Sequence, residues 1–124
     1  MTAGIDNYCG ATDFRDAPHI TLTNAKGMFS RALGEFIAMG TLFFTKQLRT
    51  YLERQKNHEW KQGFIENVNT KTAVIVGFGD IGAATGKVLK HGFGARVIGL
   101  KRRPENTSKE HRLCADEIVG LEDF

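Results

Sequence analysis

Two cysteines and two prolines in 124 residues leave little to staple or interrupt this chain. Cys9 and Cys114 stand far apart, with no Cys-x-x-Cys and no His or Asp set at metal-ligand spacing. A structural disulfide and a zinc site are not expected, and both thiols read as reduced, in a cytoplasmic setting. No run of about 18 apolar residues occurs, and no basic segment leads into an apolar one at the N-terminus. Neither a membrane span nor export is expected. The formal charge is only +3. Its basic residues are scattered apart from one turn, without interleaved aromatics, which argues against a nucleic-acid partner. Repeats and low-complexity tracts are also missing. The length is that of one ordinary domain with enough apolar content for a core.

What is present concentrates in one stretch. Seven of the 14 glycines lie between Gly77 and Gly99. Ala73-Val74-Ile75-Val76 runs into Gly77-Phe78-Gly79-Asp80-Ile81-Gly82, and a helix-like segment and a second apolar run follow. Gly-x-Gly-x-x-Gly in this strand–turn–helix order is the dinucleotide-binding βαβ fingerprint. Gly77 permits a sharp turn out of the strand, Gly79 removes a Cβ that would block a pyrophosphate, and Gly82 allows close helix–sheet packing. The helix N-terminus offers free N–H groups and a positive dipole end to phosphates.

Acidic residues are missing where this fingerprint usually has one. An Asp or Glu about 20 residues on holds the adenosine ribose 2′-hydroxyl, but none occurs from Ile81 through Pro104. Lys101-Arg102-Arg103 stands there. A carboxylate repels a 2′-phosphate, whereas guanidinium groups pair with it through bidentate, charge-assisted hydrogen bonds. NADP is expected in preference to NAD.

Residues 1–29 read as loop with a short strand at Ile20–Thr23. Residues 30–57 carry a long helix, capped by Ser30, whose stripe of Leu33, Phe36, Ile37, Phe44, Leu48, Tyr51 and Leu52 recurs at three- and four-residue intervals. A helix of that length suits a bridge between domains or a subunit interface. Residues 58–124 hold the nucleotide fold. They begin with a polar connector carrying three isolated anchors, Trp60, Phe64 and Ile65. A strand at about 72–76, a helix at 80–91 and a strand at 95–100 follow. Residues 104–112 read as loop, and residues 115–124 begin another element. The fold class is α/β, a partial Rossmann-type strand–helix–strand unit preceded by the long helix. With two clear strands, an unpaired edge is expected beyond the second.

The order Thr2-Ala-Gly-Ile-Asp-Asn7, Ile20-Thr-Leu-Thr-Asn24, Ser30-Arg-Ala-Leu-Gly-Glu35-Phe, then Val74–Gly82 and Val97–Pro104, resembles the D-isomer-specific 2-hydroxyacid dehydrogenases. Within them it is most similar to the glyoxylate/hydroxypyruvate reductase and phosphoglycerate dehydrogenase branches. The resemblance implies that backbone N–H groups at Ala3 and Gly4 hold a substrate carboxylate, and that residues from Ser30 to Glu35 start the interdomain helix. It also implies that Gly77, Gly79, Asp80, Ile81 and Gly82 form the pyrophosphate loop, and that Lys101, Arg102 and Arg103 mark an NADP-preferring member. The family's catalytic Arg, acid and His would fall beyond Phe124. The chain is therefore expected to be a fragment without catalytic residues and inactive alone, its intact form a homodimer acting on a small 2-keto acid. His19, His58, His91 and His111 are read as surface or structural groups. The alternative is a non-catalytic nucleotide-binding or dimerisation remnant. An S-adenosyl-ligand enzyme would want a carboxylate where Lys101–Arg103 stands.

Overall fold

Three β-branched residues in succession, Val74-Ile75-Val76, favour extended backbone. In the computed structural model, which describes residue 17 and residues 19–124, Thr72–Val76 forms β1. The expectations placed on Ala3, Gly4 and Cys9 lie outside the described residues. β1 pairs in parallel with β2 (Arg96–Leu100), from Thr72 opposite Arg96 to Val76 opposite Leu100. Between them runs α3 (Asp80–Lys87), which continues as a π-helical turn over Val88–Gly92. It is closed by N–H groups of Gly94 and Ala95 on the carbonyls of Lys90 and Leu89.

The expected open edge on β2 is corrected by a third strand. β3 (Glu117–Val119) pairs in parallel with β2, so the order is β1-β2-β3 and β2 is the middle strand. Three residues are too few to show alternation in sequence. Among the described residues the unpaired edges belong to β1 and β3. Residues 104–112, expected as loop, contain a 3₁₀ turn at Pro104–Asn106 and the short helix α4 (Lys109–Arg112). Conversely, Ile20–Thr23 forms no strand. Among the described residues its alternating pattern finds no neighbouring strand to satisfy its backbone groups.

The long helix is two helices. α1 (Ser30–Thr45) and α2 (Leu48–Lys56) are separated by Gln47 at φ 49°. The break follows from the connector docking on the junction. Glu66 N–H takes the Thr45 carbonyl (3.0 Å), Lys46 Nζ donates to Glu66 O (2.6 Å), and Gln47 Nε2 donates to Phe64 O (2.6 Å). Ser30 does not cap: Phe29 occupies the N-cap, without a side-chain hydrogen bond. The buried stripe also differs from the expected one. Gly34 and Ala38, four residues apart, turn inward, whereas Leu33, Phe36, Ile37, Phe44 and Leu48 are exposed, Phe44 by 77%. Two helices approach closely only where side chains are small, and a Cβ on Gly34 would lie 3.2 Å from the Ala84 carbonyl carbon on α3. The connector's apolar residues do not anchor it either. Trp60 is fully exposed, and polar bonds from Tyr51 Oη to Gly63 O and from Arg54 Nη1 to Lys61 O hold the segment instead.

The core lies between α3 and one sheet face. Phe78, Val97, Ala83, Leu89, Ala95 and Ala115 are buried there with Val68, and Leu42, Ile75 and Ile118 pack around them. Val74 and Val76 point away from this core and are exposed.

Candidate functional site

Because all three strands run parallel, the segments that follow them emerge at one end of the sheet, where ligands of open α/β sheets bind. At that end β1 passes into Gly77, whose φ of +93° is one that side chains rarely adopt. The N–H groups of Gly77 and Phe78 both donate to the Leu100 carbonyl at 3.0 Å, fastening the loop to the end of β2. Helical bonding starts with Ala83 N–H on Gly79 O (2.8 Å). The amides of Asp80, Ile81 and Gly82 precede that bond and have no intrahelical partner. A Cβ on Gly79 would meet nothing within 4 Å, so open space adjoins these amides. One on Gly82 would collide with the Gly77 carbonyl oxygen, so the turn closes this tightly only on glycine.

A cavity of about 750 Å³ opens here, bounded by Gly77 and Gly79 on one side, Lys101, Arg102 and Pro104 on another, and Glu122 and Asp123 beyond β3. A larger groove of about 870 Å³ lies between α2 and the connector, around Tyr51, Arg54 and Trp60. That groove has neither a glycine loop nor a helix N-terminus, and the chemistry described here belongs to the smaller cavity.

The basic turn divides its work. Lys101 Nζ donates to Asn106 O (3.0 Å) and to Thr107 Oγ1 (3.4 Å), so its ammonium holds the turn that follows β2. Arg112 reaches back from α4 to Pro104 O (3.0 Å) and Thr107 O (3.3 Å). Arg102 and Arg103 remain exposed, with no ion pair among the described residues. On the other side of the loop, the Asp80 carboxylate pairs with Lys26 (3.9 Å) and His111 (3.4 Å). His111 is thus half-buried and paired, not simply a surface group. His19, His58 and His91 are exposed, and His91 Nε2 donates to Leu113 O at 3.0 Å.

Of the expected site residues, Gly77, Gly79, Lys101 and Arg102 line one cavity, while Asp80, Ile81 and Gly82 follow at the start of α3 and Arg103 continues the turn. Unpartnered amides, an open Gly79 and adjacent guanidinium groups suit a pyrophosphate-bearing dinucleotide. Sequence reasoning missed Phe78, Glu122, Asp123 and the Asp80–His111 pair. The burial of Phe78 was not readable from sequence, since other aromatic residues of this chain, Trp60 and Phe44 among them, are exposed. The acidic residues and His111 reach the site only through β3 and α4. Among the described residues no group of three His, Cys, Asp or Glu side chains could hold a metal, and no helix is long and apolar enough to cross a membrane.

Residues 38–124 match the family description "D-isomer specific 2-hydroxyacid dehydrogenase, NAD binding domain". A D-lactate dehydrogenase of Staphylococcus epidermidis is 30% identical over 109 residues, 86% of this chain and 32% of that protein. The chain thus spans about a third of the length of the curated relatives it matches. A glycerate dehydrogenase related protein from Thermoplasma acidophilum superposes with a TM-score of 0.69 at 24% identity, over 86% of this chain and 36% of that one. A D-isomer specific 2-hydroxyacid dehydrogenase from Xanthobacter autotrophicus, solved in complex with NADPH and MES, superposes with a TM-score of 0.67 at 23% identity, over 97% and 46%. With a parallel sheet, a glycine loop at its ligand-binding end and this match across most of its length, the chain belongs to the D-isomer specific 2-hydroxyacid dehydrogenase family.

Proposed function

We propose that this chain is the dinucleotide-binding part of an NADP-favouring oxidoreductase that moves a hydride between the nicotinamide and a small 2-keto or 2-hydroxy acid. The observation that carries the NADP preference is the pair Arg102 and Arg103, exposed and unpaired beside the loop, where an acidic residue would serve a ribose hydroxyl. Lys101 supports them by ordering the turn. The bound cofactor would supply or accept the hydride. Asp80, Ile81 and Gly82 would hold its pyrophosphate through main-chain N–H groups. Ala3 and Gly4 would hold the substrate carboxylate, and a homodimer in the cytoplasm is the expected intact form.

The test is affinity for both cofactors. A 2′-phosphate contact of this kind corresponds to a preference for NADPH over NADH of roughly 10- to 100-fold, or about 1.4–2.8 kcal/mol. Fluorescence titration of R102Q/R103Q should show that preference largely erased with NADH binding nearly unchanged. Equal loss for both cofactors would show that the turn serves folding and does not read the phosphate.

A further inference from the structure

Asp80 presents a difficulty for any anion at this loop. Its N–H is one of the free amides, but its carboxylate adds negative charge at the helix end a pyrophosphate would approach. The structure turns that carboxylate toward two nitrogen-bearing side chains from elsewhere in the chain, an imidazole and an ammonium. His111 Nε2 lies 3.4 Å from Oδ1, and Lys26 Nζ lies 3.9 Å from Oδ2. Lys26 is largely solvated, whereas His111 is shielded about as well as Asp80 itself.

His111 is also held firmly. Ser108 Oγ accepts its N–H (3.2 Å), and its own carbonyl accepts the Cys114 N–H (3.0 Å). One residue on, Arg112 ties α4 to the carbonyls of Pro104 and Thr107. The imidazole therefore links the pyrophosphate end of the site to the basic turn. Its other charged neighbours in sequence are Lys109, Glu110 and Arg112 on α4.

We infer that His111 is a positioning residue for the dinucleotide. Its Nε2 edge keeps the Asp80 carboxylate turned from the free amides, and its protonated form also neutralises that carboxylate, so that the pyrophosphate meets N–H groups and not a negative charge. The inference rests on the nucleotide-binding reading above. A purely structural tether between α4 and α3 would use the same contact, and the two roles separate by experiment.

The measurement is the Kd for NADPH and for NADH, by fluorescence titration of the full 124-residue chain and its variants, with thermal unfolding of each variant without ligand. An exposed ion pair contributes up to about 1 kcal/mol, or roughly fivefold in affinity. H111Q should weaken both cofactors by about that factor, and less at high salt. H111R, which places a permanent cation beside Asp80, should bind within about twofold of the parent. In D80N/H111Q the loss should vanish, with affinity matching D80N alone, because no carboxylate is left to neutralise. Unchanged affinity in H111Q, equal losses in H111Q and H111R, or a loss that persists in the D80N background would each overturn the inference while leaving the nucleotide reading intact. A folded parent chain that binds neither dinucleotide overturns that reading and this inference with it.

Discussion

Phe78 occupies the variable position between two loop glycines, yet it is fully buried. Its ring fills the space left where Gly99 has no side chain, and a Cβ on Gly86 would come within 3.2 Å of the ring edge. The aromatic residue thus plugs the loop into the core while its N–H holds the end of β2. Phe78→Ala should destabilise the chain by about 3–5 kcal/mol through the cavity it leaves, read from urea unfolding. Asp116 supports the sheet at a second point. Its Oδ2 accepts the Val97 N–H (2.7 Å) and its Oδ1 pairs with Lys90 (3.1 Å). The Val97 hydrogen bond first, and Lys90 second, hold this carboxyl below the ordinary aspartate value. A lowered carboxylate stabilises the fold above its unfolded value and loses that contribution as pH falls through the folded one. Asp116→Asn should therefore cost about 1 kcal/mol at neutral pH, solvent screening included. The gap to the parent should close below about pH 4. A pH series of unfolding midpoints checks both the size and the direction.

Helix α1 shows how an element can be legible in outline and misread in orientation. Its apolar periodicity was plain, but hydrophobicity alone cannot tell which apolar face meets the chain's own core. Gly34 and Ala38 decide it, because only small side chains let α1 reach the α3 backbone. Gly34→Val would add bulk where a Cβ alone would stand 3.2–3.3 Å from Ala84 and Thr85 main-chain atoms. A loss of about 1–3 kcal/mol is expected, measured by thermal or urea denaturation. Beside and behind that stripe α1 exposes Leu33, Phe36, Ile37 and Phe44, the kind of apolar surface that marks an interaction site. F36S/F44S should leave the unfolding free energy within about 0.5 kcal/mol while shifting sedimentation toward monomer. A parent chain that already sediments as a well-behaved monomer would remove the interface role from this face. The Gln47 break was invisible for a related reason: no Pro or Gly marks it, and the connector bonds that stabilise it come from residues 64–66.

For the whole molecule, the expectation is that a bound dinucleotide stabilises the fold. NADPH at about 100 times its Kd should raise stability by about 2.7 kcal/mol, seen as a higher unfolding temperature. An unfolding temperature that NADPH leaves unchanged would contradict the nucleotide-binding reading. The sequence by itself determined β1, the glycine turn, α3, β2 and the α/β class, because each rests on a local rule: β-branched runs extend, Gly77 takes positive φ, and helices begin where amides are left free. It also determined which charges follow β2. Only the tertiary structure decided that a three-residue β3 covers β2, and that Lys101 serves the turn while Arg102 and Arg103 face solvent. It alone decided that Gly34 and Ala38 form the buried stripe and that Asp80 meets His111. Each of these depends on a partner at least five residues away, and most on partners far beyond that. Local propensity carries no information about which distant group arrives to accept a hydrogen bond, fill a hollow or balance a charge.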